Sequence, residues 1–283
     1  MAETVSSKKR DKDGKKAEKE MSFWEHLEEL RWHLVRSIAA VLVIAVIAFL
    51  NRHLVFDQII LAPKDSEFIT NKLLCRLSEI LNVKALCLDN LSLSIINIRM
   101  SGQFLTHMYV SIISGVVLAF PYIIYEIWRF VQPALYAKEK KYSRGAVIIS
   151  SLLFLIGVFF SYFLIVPLTL HFLGTYQVSG NVENTISLSS YISTVVSVTF
   201  AVGIVFELPI LVYFLTRVGL LTPGFMKKNR KYMIVILLLL SAIITPPDVF
   251  SQIMVVIPLM GLYEISISIS KRVFRKRTME LAG

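Results

Sequence analysis

Six long apolar runs, Leu34–Leu50, Leu105–Ile127, Ala146–Val166, Ile192–Leu215, Tyr232–Thr245 and Ile253–Ser270, constrain this chain more than any other feature. Runs of this kind recurring along one chain are too many to bury in a water-soluble core. In hydrocarbon every backbone N–H and C=O must be satisfied within the segment, which leaves the α-helix as the solution for each run. The chain is 283 residues long, 55% hydrophobic, with a mean hydropathy of +0.65, which places it in the multi-spanning membrane class. The expected fold is an all-α integral membrane protein with six transmembrane helices.

Charge sets the expected orientation. Arg52, Lys64, Lys72, Arg76, Lys84 and Arg99 lie between the first and second runs, and the other 24 of the 30 Lys and Arg lie on the opposite side. The basic side is cytoplasmic by the positive-inside rule, so both termini are expected there. The net charge of +10 and pI near 9.6 therefore reflect topology and contact with anionic membrane lipids. No groove-reading motif accompanies the charge, so no nucleic-acid partner is expected.

Residues 1–21 are almost wholly polar and read as a disordered basic cytoplasmic tail without the apolar centre of a secretory signal. Residues 22–272 form the expected membrane domain, with residues 51–102 as an external cap, and 273–283 a cytoplasmic C-terminal tail. Ser22-Phe23-Trp24-Glu25 matches a capping box and predicts a helix start. Phe23, Trp24, Leu27, Leu30 and Leu34 then fall on one face, and Glu25, Glu29, His33 and Arg36 on another.

Two spans depart from the ordinary. Tyr232–Thr245 has 14 residues, about 21 Å of helix against a hydrocarbon core of ~30 Å. Either the bilayer thins around the C-terminal hairpin, or the polar turn at Thr245–Gln252 is buried against protein. Pro121, Pro209 and Pro258 each remove a helical amide, predicting kinks that together curve the bundle into a concave face.

Three carboxylates stand where topology has no need of them. Glu207 lies inside a 24-residue apolar run, where an ionised group costs at least ~2.5–3.5 kcal/mol. It is either functional or a protonated side chain bonded to a carbonyl freed by a nearby proline. Glu139 sits among Lys138, Lys140, Lys141 and Arg144, next to an aromatic group of Trp128, Phe130, Tyr136 and Tyr142, as if to receive a cation. Glu29, beside Glu28, is either such a site or a dipole-complementing acid paired with Arg31. Glu264 lies nearer the span end, within reach of the interface and Lys271.

Catalytic signatures are missing. His26-Leu27-Glu28-Glu29 is not a zinc motif, there is no nucleophile elbow or phosphate-binding glycine loop, and Asp248 has no second intramembrane aspartate. The chain is read as a non-enzyme without metal or cofactor. Cys75 and Cys87 both fall in the external segment, an oxidising compartment that permits a disulfide. Leu73, Leu74, Leu77, Ile80 and Leu81 predict an amphipathic helix there, and Leu91, Leu93 and Ile95 a short strand.

Taken together, the chain resembles the TatC family, the polytopic component of the twin-arginine protein translocase, from Phe23 to Arg272. The resemblance is carried by five motifs in order: His26-Leu27-x-Glu29-Leu30-Arg31; Ala62-Pro63; Phe130-x-x-Pro133-Ala134-Leu135-Tyr136-x-x-Glu139; Phe206-Glu207-x-Pro209; and Thr245-Pro246-Pro247-Asp248-Val249-Phe250-Ser251-Gln252. Pro63, Pro133, Pro209 and Asp248 are its structural positions. It implies a receptor for the twin-arginine signal peptides of folded cargo in the bacterial cytoplasmic (inner) membrane. Such a receptor works with TatA- and TatB-type single-span subunits, self-associates in a larger complex and is driven by proton-motive force. Glu29 and Glu139 would bind the two arginines, with Arg31 and Phe130 in the same patch. Glu207 would line the concave face, and Thr245 and Gln252 would form a polar docking site for the partner helix. The chain departs from the family in its long external segment, in Ala242 where a bulkier docking residue is expected, and in His33 at a position that often holds a stronger base. The alternative is a proton-coupled secondary transporter, which calls for a repeat between halves that the runs do not show.

Overall fold

The computed structural model describes residues 23–65, 67–81, 94–131, 143–179, 181, 184–245 and 249–282. Among them the elements are α1 (Phe23–Leu50), α2 (Ile69–Leu81), β1 (Ser94–Ile96), α3 (Gly102–Val131), α4 (Ser143–Phe160), α5 (Val166–Thr175), β2 (Thr185–Ser187), α6 (Leu188–Val205), α7 (Leu208–Val218), α8 (Pro223–Lys228), α9 (Arg230–Ile244) and α10 (Val249–Ala282). Ser22, and with it the expected capping box, lies outside the described residues, as do the tail, Cys87, Leu91, Leu93, Pro133, Glu139 and Asp248.

Among the described residues, five helical segments are long and apolar enough to cross a bilayer: His26–Leu50, Gly102–Val131, Gly145–Thr175, Leu188–Val218 and Gln252–Met279. The remaining apolar run, Tyr232–Thr245, is the helix α9, of 15 residues, about 22 Å at ~1.5 Å per residue. Each helix outruns its apolar run because polar and basic residues continue the helix into the interface. α10 does so furthest, with no break at the start of the expected C-terminal tail, and runs helically through Lys271–Arg277 to Ala282.

Proline acts differently at different places. Pro121 and Pro258 lie inside the unbroken helices α3 and α10. At Pro209 the helix stops. α6 ends at Val205 and α7 starts at Leu208, with proline at its second position, where a missing amide costs nothing. A further proline, Pro167, follows the π-helical stretch Ser161–Ile165 that joins α4 to α5. The wider turn carries the chain past the residue that cannot donate.

The centre of the bundle is α6, whose Tyr191, Ile192, Val195, Val198 and Val202 are buried. Helices approach closely at glycines, the usual device where lipid supplies no hydrophobic drive between helices. A Cβ on Gly115 would sit 2.7 Å from the Val41 carbonyl of α1, and one on Gly157 2.7 Å from Phe206. The segment between α1 and α3 is tied down by polar groups. The Tyr162 hydroxyl donates to the Ile59 carbonyl at 2.6 Å, Tyr191 to Ile60 at 3.0 Å, and the Thr70 hydroxyl to the Phe163 carbonyl. β1 pairs in parallel with β2, Ser94 opposite Thr185, joining this segment to the turn before α6. Below it lies an apolar cavity of about 830 Å³ between α1, α3, α4 and α6, lined by residues such as Ile44, Val117, Val158 and Phe200.

Candidate functional site

The start of α1 lies against the end of α3, where His26 and His33 meet the Phe130 ring. Glu29 and His33 are four residues apart and share a helix face. His33 Nε2 is 3.9 Å from Glu29 Oε1, and His26 Nδ1 is 4.0 Å from Oε2. Oε2 is itself buried and has no hydrogen-bond partner among the described residues. Phe130, at the end of α3, stacks on His26 at 4.3 Å with planes 13° apart, and His33 meets its ring edge-on at 6.1 Å. Glu29 and Phe130 are thus brought together in one patch.

Arg31 is not part of that patch. Two residues beyond Glu29 it is turned roughly 200° around the helix, where it lies 3.9 Å from Glu28 and its guanidinium sits 5.5 Å from the Trp32 ring centroid. Glu28 with Arg31 is therefore an exposed surface pair of the weak kind. Glu139 follows Phe130 in the chain beyond the described part of α3.

Sequence reasoning missed Glu126. This residue is 2% exposed, and a carboxylate so placed is costly unless every oxygen is engaged. His33 Nδ1 bonds to it, the Tyr122 hydroxyl donates to it, and Arg36 Nη1 lies 3.9 Å away. The available signal was spacing: Glu126 is one turn before Phe130, and His33 one turn after Glu29, so two i,i+4 pairs, each with one carboxylate, line up on facing helices.

Glu207 occupies the break between α6 and α7. Its Oε2 accepts from the Ser150 hydroxyl of α4 at 2.5 Å, and its Oε1 is buried with no partner among the described residues. The partner is thus a serine hydroxyl on another helix and not a carbonyl freed by Pro209. Glu207 is absent from the lining of the apolar cavity.

The C-terminal pair is built around the end of α9. Gln252 donates from Nε2 to the Leu238 carbonyl at 2.9 Å, and the buried Thr245 donates from Oγ1 to the Ser241 carbonyl at 2.8 Å. Both side-chain donors are satisfied within the chain, while Ala242 is exposed. Pro63 is buried in the short turn Ala62–Lys64. Cys75 is disulfide-bonded. Glu264 pairs with Arg230 at 2.7 Å, not with Lys271. The Lys271 ammonium instead lies beside Lys227 and lowers its pKa from the ordinary lysine value.

The family model for the Sec-independent protein translocase protein (TatC) matches residues 25–258. The chain is 42% identical over 265 residues to the Sec-independent protein translocase protein TatC of Blattabacterium sp. subsp. Periplaneta americana, covering 93% of this chain and 100% of that protein. It is 35% identical over 257 residues to TatCy of Bacillus subtilis, covering 91% of each. Its structure superposes with a TM-score of 0.69 on the crystal structure of the twin-arginine translocase receptor TatC in DDM, at 36% identity, over 86% of this chain and 98% of that one. A family match over most of the chain, full-length relatives and a shared fold agree: this multi-pass membrane protein belongs to the TatC family of Sec-independent protein translocase proteins.

Proposed function

We propose that this component of the Tat translocase is its receptor for twin-arginine signal peptides, with Glu29 and Glu139 taking one arginine each and Phe130 supplying apolar contact. The supporting observation is Glu29, a half-buried carboxylate flanked by His26 and His33, both of which meet the Phe130 ring. A guanidinium is a planar fork of donors suited to such an oxygen pair, whereas an ammonium is a compact, strongly hydrated charge. Glu139 stands nine positions after Phe130 and is assigned the second arginine. Arg31, on another face, is assigned to the rim of the site. That the structural neighbour is a twin-arginine translocase receptor supports this role.

In this reading the protein lies in the bacterial inner membrane with both termini cytoplasmic, α9 is a sixth, short span, and residues 51–102 cap the outer side. It acts with TatA- and TatB-type single-span subunits and further copies of itself, moving folded cargo at the expense of proton-motive force. Gln252 ties α10 to the end of α9, Thr245 caps α9 through its bond to Ser241, and the two border a polar docking site where the exposed strip around Ala242 receives the partner helix. Glu207, with an oxygen unpartnered among the described residues, meets the inserted peptide. The proton-coupled transporter alternative finds no support among the relatives, which are named Sec-independent protein translocase proteins.

The test is export of a folded reporter with a twin-arginine leader in cells lacking their own TatC and supplied with this chain and its single-span partners. Export is expected to require both leader arginines and an energised membrane; equal export behind a twin-lysine leader overturns the receptor role. In the same assay Glu207→Gln should accumulate normally yet export about tenfold less, the equivalent of one charged hydrogen bond at ~1.4 kcal/mol. Export at the wild-type rate would confine Glu207 to its bond with Ser150.

The bonded Cys75 has Cys87 as the chain's one other cysteine, 12 positions on, and the pairing we assign closes a loop worth about 2–3 kcal/mol. Protein isolated without reductant should titrate no free thiol, and two thiols per chain would contradict the bridge.

A further inference from the structure

The helix α2 is amphipathic, yet its polar side faces the protein and its apolar side faces out. Thr70, Asn71 and Ser78 are buried, while Ile69, Leu73 and Ile80 are 68%, 56% and 78% exposed. At ~100° of rotation per residue these three apolar side chains lie within about 40° of one another. Lys72 and Arg76, both exposed, run along one edge of the stripe, with Glu79 farther round. A surface helix in water turns its apolar side to the core, so a stripe turned outward calls for an apolar cover.

The groups that fix α2 also set its depth. The segment Gly145–Thr175 is long and apolar enough to cross a bilayer, and its apolar run ends at Val166. Pro167 has no amide to offer the Phe163 carbonyl four residues before it, and the Thr70 hydroxyl donates to that carbonyl. Phe68 stacks on the Phe163 ring at 5.6 Å and meets the Tyr162 ring edge-on at 5.6 Å. Asn71 turns inward to donate to the Asp65 carbonyl at 2.9 Å. The first turn of α2 thus lies level with Phe163, about 5 Å inside the end of the apolar run at ~1.5 Å per residue.

We propose that α2 is an interfacial membrane helix: Ile69, Leu73 and Ile80 enter the acyl chains of the leaflet at the far end of α1, and Lys72 and Arg76 reach the lipid phosphates above them. This goes beyond the receptor reading and does not depend on it; it depends on α4 crossing the membrane. A helix lying in the interface sinks its apolar face ~5–10 Å into the boundary between headgroups and acyl chains, and the level of Phe163 falls in that range. The stems of lysine and arginine follow apolar surface while their charges stay in water, where anionic lipid attracts them. Lys72 has Glu67 at 3.7 Å, an exposed pair of the weak kind that leaves the ammonium open to phosphate. The polar side of α2 needs no water, because Thr70 and Asn71 are bonded within the chain.

The experiment places one nitroxide at a time on the full-length protein in vesicles of phosphatidylethanolamine and phosphatidylglycerol. Because Cys75 is disulfide-bonded, the label is carried on a ketone-bearing residue replacing Ile69, Leu73 or Ile80, all exposed positions where a larger side chain displaces nothing. Gln177, exposed in the turn after α5, is the water control, and Leu152, exposed in the middle of the α4 apolar run, is the lipid control. Collision with oxygen, which concentrates in acyl chains, is compared with collision with a water-soluble nickel chelate. The oxygen-to-nickel ratio at all three α2 positions should exceed that at Gln177 several-fold and approach that at Leu152. Labels on α2 as open to nickel as the one at Gln177 overturn the proposal and leave the stripe in water. Labels shielded from both reagents, with spectra that sharpen when labelled chain is diluted with unlabelled chain, overturn it in favour of contact between copies. A Leu152 label open to nickel overturns the membrane placement of α4, and the proposal with it. Failure of twin-arginine recognition, by contrast, would leave these ratios unchanged.

Discussion

Gly157→Leu is expected to leave almost no folded protein in the membrane. At this position α4 crosses α6 with backbone nearly touching backbone: a Cβ would lie 2.7 Å from both Cβ and Cγ of Phe206 and 3.0 Å from the Cα of Gly203. The crossing is equally tight from the other side, where a Cβ on Gly203 would come within 2.9 Å of Phe154 and Val158. Phe154 is 0% exposed, so it has nowhere to move. Three further carbons force α4 from α6 and open the centre of the bundle. The cost of such overpacking reaches ~3 kcal/mol and more where backbone must shift, a large share of the 5–15 kcal/mol that holds a typical domain. Gly261→Leu is the control. A Cβ there meets nothing within 4 Å, and exchanging glycine for a strong helix former should leave stability unchanged or raise it by up to ~1 kcal/mol. Detergent-solubilised yield and thermal unfolding distinguish the two. A Gly157→Leu protein with the yield and Tm of wild type would show that the helices have room to separate at no cost.

Much of this architecture is legible in the chain because hydrocarbon permits so few backbone solutions. Each apolar run is helical, although the one holding Pro209 is divided into α6 and α7. Where reading failed, the missing information was three-dimensional. Pro209 and Pro121 look alike in sequence, yet one marks a break between α6 and α7 and the other lies in continuous helix. β1 and β2 are three-residue strands some ninety positions apart, too short and too distant for alternation to reveal their pairing. Glu126 escaped notice because it stands at the end of an apolar run, where an acid is ordinarily in water; only the approach of α1 shows it to be buried. Glu29 and Phe130 were named through family resemblance, and the geometry supplies their proximity. Arg31 was named with them, but a helical rotation of roughly 200° puts it on another face.

The receptor role makes its sharpest demand on the two acids. Glu29→Ala and Glu139→Ala should each weaken binding of a twin-arginine peptide, and the double variant should lose nearly all preference for arginine over lysine. Glu29 is about a third exposed on its side chain, so its pair with a guanidinium is screened by water and worth ~1 kcal/mol, near the upper end for accessible ion pairs. Two such pairs amount to about thirtyfold in affinity, and Phe130 adds apolar contact that does not depend on charge. Added salt should therefore weaken wild-type binding more than binding to the double variant, because only the former has pairs to screen. Lysine keeps the charge but lacks the fork of donors, which is why the arginine-to-lysine comparison isolates the geometry of the site from its mere acidity. The direct measurement is the ratio of twin-lysine to twin-arginine Kd for purified wild type and for the Glu29→Ala, Glu139→Ala double variant, with folding and insertion of the variant verified. A ratio well above one in wild type that falls close to one in the variant is the predicted result. An inserted variant that still discriminates as wild type does would contradict the assignment of these two carboxylates as the arginine readers.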